Sequence, residues 1–210
     1  MKVILVNGSP NEKGCTYTAL SEVRGALLGE GIEAEIFHIG AQPVPGCAAC
    51  GACAKLKKCV FNDRVNEFVS LARGADGFVF GSPVYFASMN GSMTSFMDRA
   101  FFSAMHGEDR PFYLKPAAAV CSARRAGTTA TFDQMNKYFT ISEMPVIASR
   151  YWNMVHGNTP EEVKQDLEGL LTMRILGRNM AWFLKCKEAG EKAGVPMPKR
   201  EPGVSTNFIR

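Results

Sequence analysis

The first eighteen residues constrain the fold of this chain most strongly. An aliphatic run at residues 3–6 breaks into the loop residues 7–11, and helical spacing of apolar side chains begins near Tyr17. This order predicts a buried strand, a tight loop and a helix. The first N–H groups of a helix have no intrahelical partner and carry the positive end of its dipole, so such a loop can hold a phosphate.

Two common phosphate loops are excluded by the spacing of the glycines. The nucleoside-triphosphate loop needs Gly-Lys followed by Ser or Thr, and the dinucleotide fingerprint needs Gly-x-Gly-x-x-Gly. Here Lys13 precedes Gly14, and Gly8 and Gly14 stand six positions apart. The loop therefore favours the single phosphate of a mononucleotide, with the hydroxyls of Ser9, Thr16 and Thr18 as further donors. An ordinary strand-to-helix turn is the alternative interpretation.

Apolar segments alternate with helical ones along the rest of the chain. Strands are predicted at residues 3–6, 33–39, 77–80, 117–121 and 144–148. Helices are predicted at 17–28, 63–74 and 92–105, after residue 129 to about 139, and from 159 to about 188. This alternation predicts an α/β fold, a doubly wound five-stranded parallel sheet of order 2-1-3-4-5 with a C-terminal helix and arm. We expect a domain at residues 1–188, with a cysteine-rich loop at 40–62, and an arm at 189–210.

The loops that follow the first, second, third and fourth strands are predicted to emerge at one edge of this sheet, where ligands bind. Beyond the phosphate, Pro83, Tyr85 and Phe86 can pack on a flat ring while Asn90 bonds its edge. If the ring is a flavin, its reduced form carries negative charge near the pyrimidine edge, and the cations Arg124 and Arg125 would stabilise that charge. The alternatives are an ordinary hydrophobic plug for the aromatic pair and a solvated loop for the arginines.

Four of the seven cysteines lie close together, in the pattern Cys47-x2-Cys50-x2-Cys53-x5-Cys59. Four thiolates on a loop rich in glycine and alanine can wrap one [4Fe–4S] cubane, and the two-residue gaps resemble ferredoxin spacing. Redox-active or free thiols and a four-thiolate zinc site are the alternatives. The isolated Cys121 and Cys186 are interpreted as buried or incidental thiols.

Composition limits the compartment and the partners. Hydrophobic residues make up 46% of the chain and charged residues 21%, which is ordinary for a folded domain, and the net charge is +4. The apolar runs are too short to span a bilayer and no signal-peptide pattern opens the chain, so we expect a cytoplasmic protein with no membrane or nucleic-acid partner.

The loop motifs together resemble those of a known family. Gly8-Ser9-Pro10 with Gly14-Cys15-Thr16, and residues 81–85 with Asn90-Gly91, look like the flavodoxin-like NAD(P)H-dependent FMN reductase superfamily over roughly residues 1–185. The resemblance implies FMN as cofactor, with three groups of binding residues. These are Ser9, Asn11, Cys15, Thr16 and Tyr17 at the phosphate, Pro83, Val84, Tyr85, Phe86 and Asn90 beside the ring, and Ser122, Ala123, Arg124 and Gly127 near its pyrimidine end.

One residue departs from the family pattern. The family commonly has Gly-Asn-Thr where this chain has Gly14-Cys15-Thr16. The backbone N–H of Cys15 remains available to the phosphate, whereas the side-chain contact of an asparagine is lost.

The cysteine pattern is similar to the compact motif of the iron–sulfur flavoprotein branch, which implies Cys47, Cys50, Cys53 and Cys59 as ligands of a [4Fe–4S] cluster. The function implied is an FMN-dependent oxidoreductase that takes electrons from NAD(P)H or ferredoxin and passes them to a quinone or another small acceptor. A non-catalytic flavodoxin-like carrier and a thiol or metal redox sensor are the alternatives. We expect a homodimer or homotetramer, with residues 101–102 and the C-terminal arm as candidate interfaces.

Overall fold

The computed structural model describes residues 1–107, 109–206 and 208. The predicted α/β class is confirmed, and five parallel strands pair in the predicted order. The strands are β1 (Lys2–Asn7), β2 (Glu33–His38), β3 (Gly77–Tyr85), β4 (Ser88–Met89), β5 (Ala117–Ala123) and β6 (Met154–His156). The parallel sheet has the order β2-β1-β3-β5-β6, and β4 folds back antiparallel on β3.

Helices cover both faces of the sheet. They are α1 (Cys15–Gly29), α2 (Cys53–Leu56), α3 (Arg64–Ala72), α4 (Gly91–Met105), α5 (Thr128–Ile141), α6 (Pro160–Val163) and α7 (Leu167–Lys192). No helix in the described part of the chain has the length and apolar character that crossing a membrane requires.

Alternate side chains of the central strands divide the core into two halves. Ile4, Phe78 and Phe80 face α3, α4 and α5, whereas Val3 and Val79 face α1 and α7. Successive side chains of a strand point to opposite faces, so a central strand covered on both sides must be apolar throughout. The first half is rich in phenylalanine, and its contacts hold α3 and α4 against the sheet.

The two helices on the other face approach each other closely at Gly177 of α7. A Cβ placed on Gly177 would lie 2.7 Å from the Cβ of Ala26 and 2.7 Å from the carbonyl oxygen of Val23, both on α1. Only glycine allows the two backbones this distance. Because α1 carries the first loop at its N-terminus, this contact helps to fix the position of that loop.

The predicted fifth strand at residues 144–148 is wrong in position. Val146 makes a single parallel bridge with Ala117, and the strand proper is β6, whose Met154 pairs with Cys121. Val146 remains exposed, whereas Val155 is fully buried. The short β6 escapes sequence analysis because its three residues show no alternation, while the apolar run before it has the composition of a strand.

The third strand is longer than predicted, and part of the expected loop at residues 81–91 is a hairpin of β3 and β4. Proline in a central strand would remove a ladder hydrogen bond. Here β1 ends at Asn7, opposite Gly81, so Pro83 pairs only with Ser122 of β5. The proline is tolerated because β1 provides no pairing residue beyond Gly81.

Two further expectations change. The helix predicted from 159 to about 188 is divided into α6 and α7, because Asp166 caps the second helix by accepting a hydrogen bond from the Gly169 N–H at 2.9 Å. Phe101, a candidate interface residue, is buried with its ring centroid 4.5 Å from that of Phe112, whereas Phe102 is exposed. Of the predicted arm, residues 207, 209 and 210 lie outside the described residues.

We predict that Gly177→Ala lowers the free energy of unfolding by about 1–3 kcal/mol, because the added methyl forces α1 and α7 apart. Urea denaturation measures this. The matched control is Gly25→Ala in α1, where an added Cβ meets nothing within 4 Å. That replacement should stabilise the protein by about 0.5–1 kcal/mol. Equal effects of the two substitutions would contradict the close helix contact.

Candidate functional site

The C-terminal ends of β1, β3 and β5 lie side by side, because the three strands are parallel neighbours. The loop that follows β1 is held by the fully buried Asn7. The Asn7 side-chain amide donates to the carbonyl oxygen of Glu12 at 2.9 Å, and its oxygen accepts from the N–H of Ser9 at 3.1 Å. One side chain therefore fixes both ends of the loop before the helix begins.

Further bonds hold the loop from within and from β2. The Ser9 hydroxyl oxygen accepts from the Asn11 N–H at 3.1 Å, and the carbonyl oxygen of Asn11 accepts from the Gly14 N–H at 3.2 Å. His38 lies at the end of β2, with its Nε2 2.8 Å from the carbonyl oxygen of Ser9. The His38 ring therefore supports the loop from the end of β2.

The N-terminus of α1 is suited to an anion. Gly14 occupies the N-cap position without a side-chain cap, and the first turn contains no acidic residue. In most helices a cap side chain satisfies one of the first N–H groups. Here the uncapped backbone of Cys15, Thr16 and Tyr17 is left to an external acceptor, which is the arrangement that a bound phosphate requires.

The threonine hydroxyls near this helix end are directed to the protein. Thr16 Oγ1 lies 2.8 Å from Ser122 Oγ, and both side chains are buried. The Thr18 hydroxyl donates to the carbonyl oxygen of Gly14 at 3.2 Å. The Thr18 hydroxyl hydrogen is therefore engaged within the protein, whereas either hydroxyl of the Thr16–Ser122 pair can be the donor, and Thr16 as a phosphate ligand stays a prediction. The Thr16–Ser122 contact ties the loop after β1 to the end of β5.

Cys15 also points away from the loop, with its Sγ 3.7 Å from the carbonyl oxygen of Gly157. Burial raises the pKa of the Cys15 thiol, and the carboxylates of Glu162 and Glu161 raise it further. A neutral thiol does not repel a phosphate as a thiolate would. Cysteine at this position thus leaves the backbone N–H as the group that can face the anion.

Asn90 joins the loop after β1 to α4. It is 3% exposed, its Nδ2 donates to the carbonyl oxygen of Gly8 at 2.7 Å, and its Oδ1 caps α4 by accepting from the Met93 N–H at 2.8 Å. With donor and acceptor both engaged, this side chain supports the loop. The expected bond of Asn90 to a ring edge stays a prediction.

The β3–β4 hairpin presents the predicted ring-binding residues. Its two turn residues, Phe86 and Ala87, have φ angles of 51° and 57°, the left-handed values of a type I′ turn. Gln134 of α5 holds the hairpin, since its Oε1 accepts from the Ser88 hydroxyl at 2.7 Å and the Met89 N–H at 3.0 Å. A fixed turn with left-handed non-glycine residues is a strained element of the kind found at binding sites.

The loop after β5 packs against this hairpin at Gly127. Gly127 has a φ of 95°, and a Cβ there would lie 2.8 Å from the Cα of Ala87 and 2.9 Å from Val84 Cγ1. Val84 and Pro83 are half-buried and Ala123 is buried, whereas Tyr85, Phe86 and Arg124 are exposed. The structure thus brings all three predicted loops to one edge, with aromatic and cationic side chains on its open side.

These features fit the mononucleotide that the sequence predicts. An uncapped helix end with no acidic residue in its first turn suits a phosphate, and exposed aromatic side chains beside it suit a flat ring. Every residue predicted to bind FMN lies on one of the three loops or at the adjoining strand and helix ends.

The four clustered cysteines line one cavity, which Arg99 and Phe102 also line. Cys53 is buried, Cys59 is half-buried, and Cys47 and Cys50 are exposed. In the described part of the chain, no three potential ligands are close enough together to hold one metal ion. A [4Fe–4S] cubane takes one thiolate for each of its four irons, and a loop bearing four thiols has that donor set.

The thiols are close enough to interact electrostatically. Burial raises the pKa of the Cys53 thiol, and the charges of Cys50, Cys47 and Cys59 raise it further. A site of this kind favours a cationic group that offsets the charge of four thiolates. The remaining cysteines differ: Cys121 is buried inside the sheet, where burial raises the pKa of its thiol to about 12, and Cys186 is exposed on α7.

Four residues that position this site carry no clear signal in the sequence: Asn7, Gln134, Arg99, and Asp63, whose carboxylate accepts from Arg99 Nη1 at 2.7 Å. Asn7 ends an aliphatic strand, a position from which a polar side chain can turn into the following loop. Arg99 is the only cation in the apolar helix α4, which indicates only that its side chain needs a buried partner.

Comparisons with known proteins agree with this geometry. A family model described as NADPH-dependent FMN reductase matches residues 1–159. The chain is 32% identical over 198 residues to an iron–sulfur flavoprotein of Methanocaldococcus jannaschii, covering 88% of this chain and 98% of that protein. It is 26% identical over 198 residues to an iron–sulfur flavoprotein of Archaeoglobus fulgidus, covering 89% and 98%.

A solved structure has the same fold. The flavodoxin-type WrbA-like protein of Agrobacterium tumefaciens superposes with a TM-score of 0.61 at 14% identity, covering 88% of this chain and 97% of that protein. At this identity the likeness concerns the fold alone.

We predict that Asn90→Ser raises the dissociation constant for FMN roughly tenfold. Serine caps a helix as well as asparagine does, but it is too short to reach the Gly8 carbonyl oxygen, and losing a buried hydrogen bond costs about 1–3 kcal/mol. Quenching of flavin fluorescence by the apo-protein measures the constant.

The matched control is Asn179→Ser. The Asn179 side chain donates to the carbonyl oxygen of Ala148 at 2.8 Å in an exposed contact, so its replacement should leave FMN affinity unchanged. Equal weakening by both variants would show that Asn90 does not act through the loop.

Proposed function

This chain belongs to the NADPH-dependent FMN reductase family, in its iron–sulfur flavoprotein branch, and on that basis we propose that it is an FMN-dependent oxidoreductase with a [4Fe–4S] cluster on residues 47–59. The observation that carries the proposal is the convergence of Cys47, Cys50, Cys53 and Cys59 on one cavity of a chain whose sheet edge is suited to a mononucleotide. A cluster and a flavin together would let one protein exchange electrons singly and in pairs.

In this proposal the loop of residues 8–14 and the start of α1 hold the FMN phosphate. The backbone N–H groups of Cys15, Thr16 and Tyr17 are the donors, with Ser9 and Asn11 beside them. These donors bind an anion well because the helix dipole adds positive charge and because no side-chain cap competes for them. The bonds of Asn7 and Asn90 keep this loop in place without a ligand, which lowers the entropy lost on binding.

The hairpin and the loop after β5 would enclose the ring. Pro83, Val84, Tyr85 and Phe86 offer apolar contact to its plane, and Ser122, Ala123 and Gly127 lie at the end where the pyrimidine is expected. Positive charge on Arg124 and Arg125 would stabilise negative charge on a bound flavin. FMN supplies both hydride chemistry and single-electron chemistry when it is bound, so the chain needs no acid or base side chain of its own.

The electron donor is proposed from two observations. The family description favours NADPH, which would reach the ring from the side of the exposed residues Tyr85 and Phe86. The cysteine cavity favours a one-electron donor such as ferredoxin, because a cluster accepts electrons singly. A quinone or another small molecule is the proposed acceptor.

The surface around the cysteine cavity suggests how copies of the chain associate, as a homodimer or homotetramer. Phe102 of α4 is exposed on the wall of the cysteine cavity, as are Val60 and Phe61. Exposed apolar groups of this kind mark interaction surfaces.

The cluster is tested by the absorption spectrum of protein purified without oxygen, with iron and acid-labile sulfide measured on the same sample. We expect flavin bands, a broad shoulder near ~400 nm and about four irons per chain. Cys53→Ser should lose the iron and keep the flavin, whereas the control Cys186→Ser, which replaces an exposed cysteine outside the cavity, should keep both.

Other spectra would decide between the remaining hypotheses. Flavin without iron under anaerobic handling would leave an FMN reductase with redox thiols. Protein that contains no flavin and binds none on addition would contradict the phosphate site itself.

Steady-state turnover separates an enzyme from an electron carrier. We expect anaerobic reduction of a quinone with either NADPH or reduced ferredoxin as donor, at a rate that Asn90→Ser lowers when FMN is limiting. A protein that exchanges electrons with partners but shows no turnover with either donor would be a flavodoxin-like carrier.

A further inference from the structure

Arg99 is the largest fully buried side chain in the described structure and belongs to none of the loops that receive the mononucleotide. It is 1% exposed and lies in the middle of α4, on the wall of the cysteine cavity. A guanidinium is nearly always charged, and a buried charge is costly unless it is paired and hydrogen-bonded. The partners of Arg99 therefore indicate what this charge is for.

The guanidinium contacts both ends of the cysteine-rich loop. Its Nη1 donates to the carbonyl oxygen of Pro45 at 3.2 Å, two residues before Cys47. Its Nε donates to the Sγ of Cys59, the last of the four cysteines, at 3.2 Å. A rigid planar fork with five donors can hold two chain segments in this way, and a lysine cannot.

Asp63 orients the fork. Its two carboxylate oxygens accept from Nη1 at 2.7 Å and from Nη2 at 2.9 Å, and Oδ1 also caps α3 by accepting from the Val65 N–H at 3.1 Å. Burial by itself lowers the pKa of Arg99, but the hydrogen bonds and charges of Asp63 and Cys59 outweigh that effect, and the guanidinium stays charged. Phe61 covers it, with the ring centroid 4.8 Å from Cζ.

We infer that Arg99, oriented by Asp63, is a positioning residue for the cluster: it holds the cysteine loop in place and raises the reduction potential through its bond to the Cys59 sulfur. The inference rests on the proposed cluster. Reduction adds one negative charge to a site that already contains four thiolates. A nearby cation and an N–H···S bond stabilise the reduced state more than the oxidised state, and both factors set cluster potentials.

Two substitutions predict shifts of opposite sign. Arg99→Met keeps the length of the side chain but removes the cation and the bond to sulfur, so the equilibrium should shift at least tenfold toward the oxidised cluster, about 59 mV for one electron. Asp63→Asn keeps the cap of α3, because asparagine caps a helix as well as aspartate. It leaves the charge of Arg99 uncompensated, so the potential should rise.

The measurement is an anaerobic redox titration of each purified protein, followed by the electron paramagnetic resonance of the reduced cluster. The control is Arg73→Met, which removes an equal charge from the exposed pair that Arg73 forms with Asp109 and should leave the potential unchanged. Arg99→Lys should recover the potential only in part, since lysine keeps the charge without the fork.

The role of Arg99 in holding the cysteine-rich loop is tested on protein from which the cluster has been removed. The exposed Lys55, Lys57 and Lys58 in the loop are tryptic sites. After iron is removed, Arg99→Met should be cleaved there several times faster than wild type or Arg73→Met. If Arg99→Met assembles no cluster, faster cleavage in this assay supports the inference by showing that the loop is no longer held. The redox titration of Asp63→Asn then tests the effect of the Arg99 charge on the potential.

Several outcomes would overturn the inference. Potentials of Arg99→Met and Asp63→Asn that both equal wild type, or that move in the same direction, would exclude control by the charge of Arg99. Cleavage of the loop at the wild-type rate would exclude the positioning role. Wild-type protein that holds FMN but no iron would instead refute the proposed cluster, and the measurement of iron makes that failure distinct.

Discussion

Parallel pairing of β1, β3 and β5 is the constraint on which the candidate site depends. Parallel strands end at the same edge of a sheet, so loops that are far apart in the chain must meet there. Gly8 illustrates the result: its N–H donates to the carbonyl oxygen of Gly81 at 2.8 Å, and its own carbonyl oxygen accepts from Asn90. The register of three strands thus becomes the geometry of one binding edge.

The polar side chains at this edge are buried, and their hydrogen bonds hold the loops in place. Asn7 holds the loop after β1 from within, Asn90 links that loop to α4, and the pair Thr16–Ser122 links the start of α1 to β5. A buried polar group that lost its partner would cost free energy, so these bonds strongly favour one loop conformation. The helix end at Gly14 is the contrasting position, because no side chain caps it. The fold therefore preorganises the edge while leaving the anion-binding groups available.

The cysteine-rich loop depends on the rest of the protein in a different way. It contains a helix of only four residues, α2, and Cys53 is its one buried cysteine. A segment with so little apolar burial cannot fix its own shape. Asn66 of α3 bonds the backbone of Cys59 at 3.0 Å and 2.8 Å, and Arg99 bonds its sulfur. Helices packed in the phenylalanine-rich core thereby provide the rigidity that the loop lacks.

The sequence by itself determined the fold class, the strand order, the family and the two groups of residues that define the candidate sites. These follow from local signals: apolar runs alternating with helical periods, glycine spacing and cysteine spacing. The tertiary structure alone decided the true position of the last strand, the hairpin at Phe86 and Ala87, and the inward direction of Thr16 and Asn90. It also decided the pairing of Asp63 with Arg99, 36 positions away. The reason is that a hydrogen bond between distant residues depends on packing, and packing leaves no periodic trace in the chain.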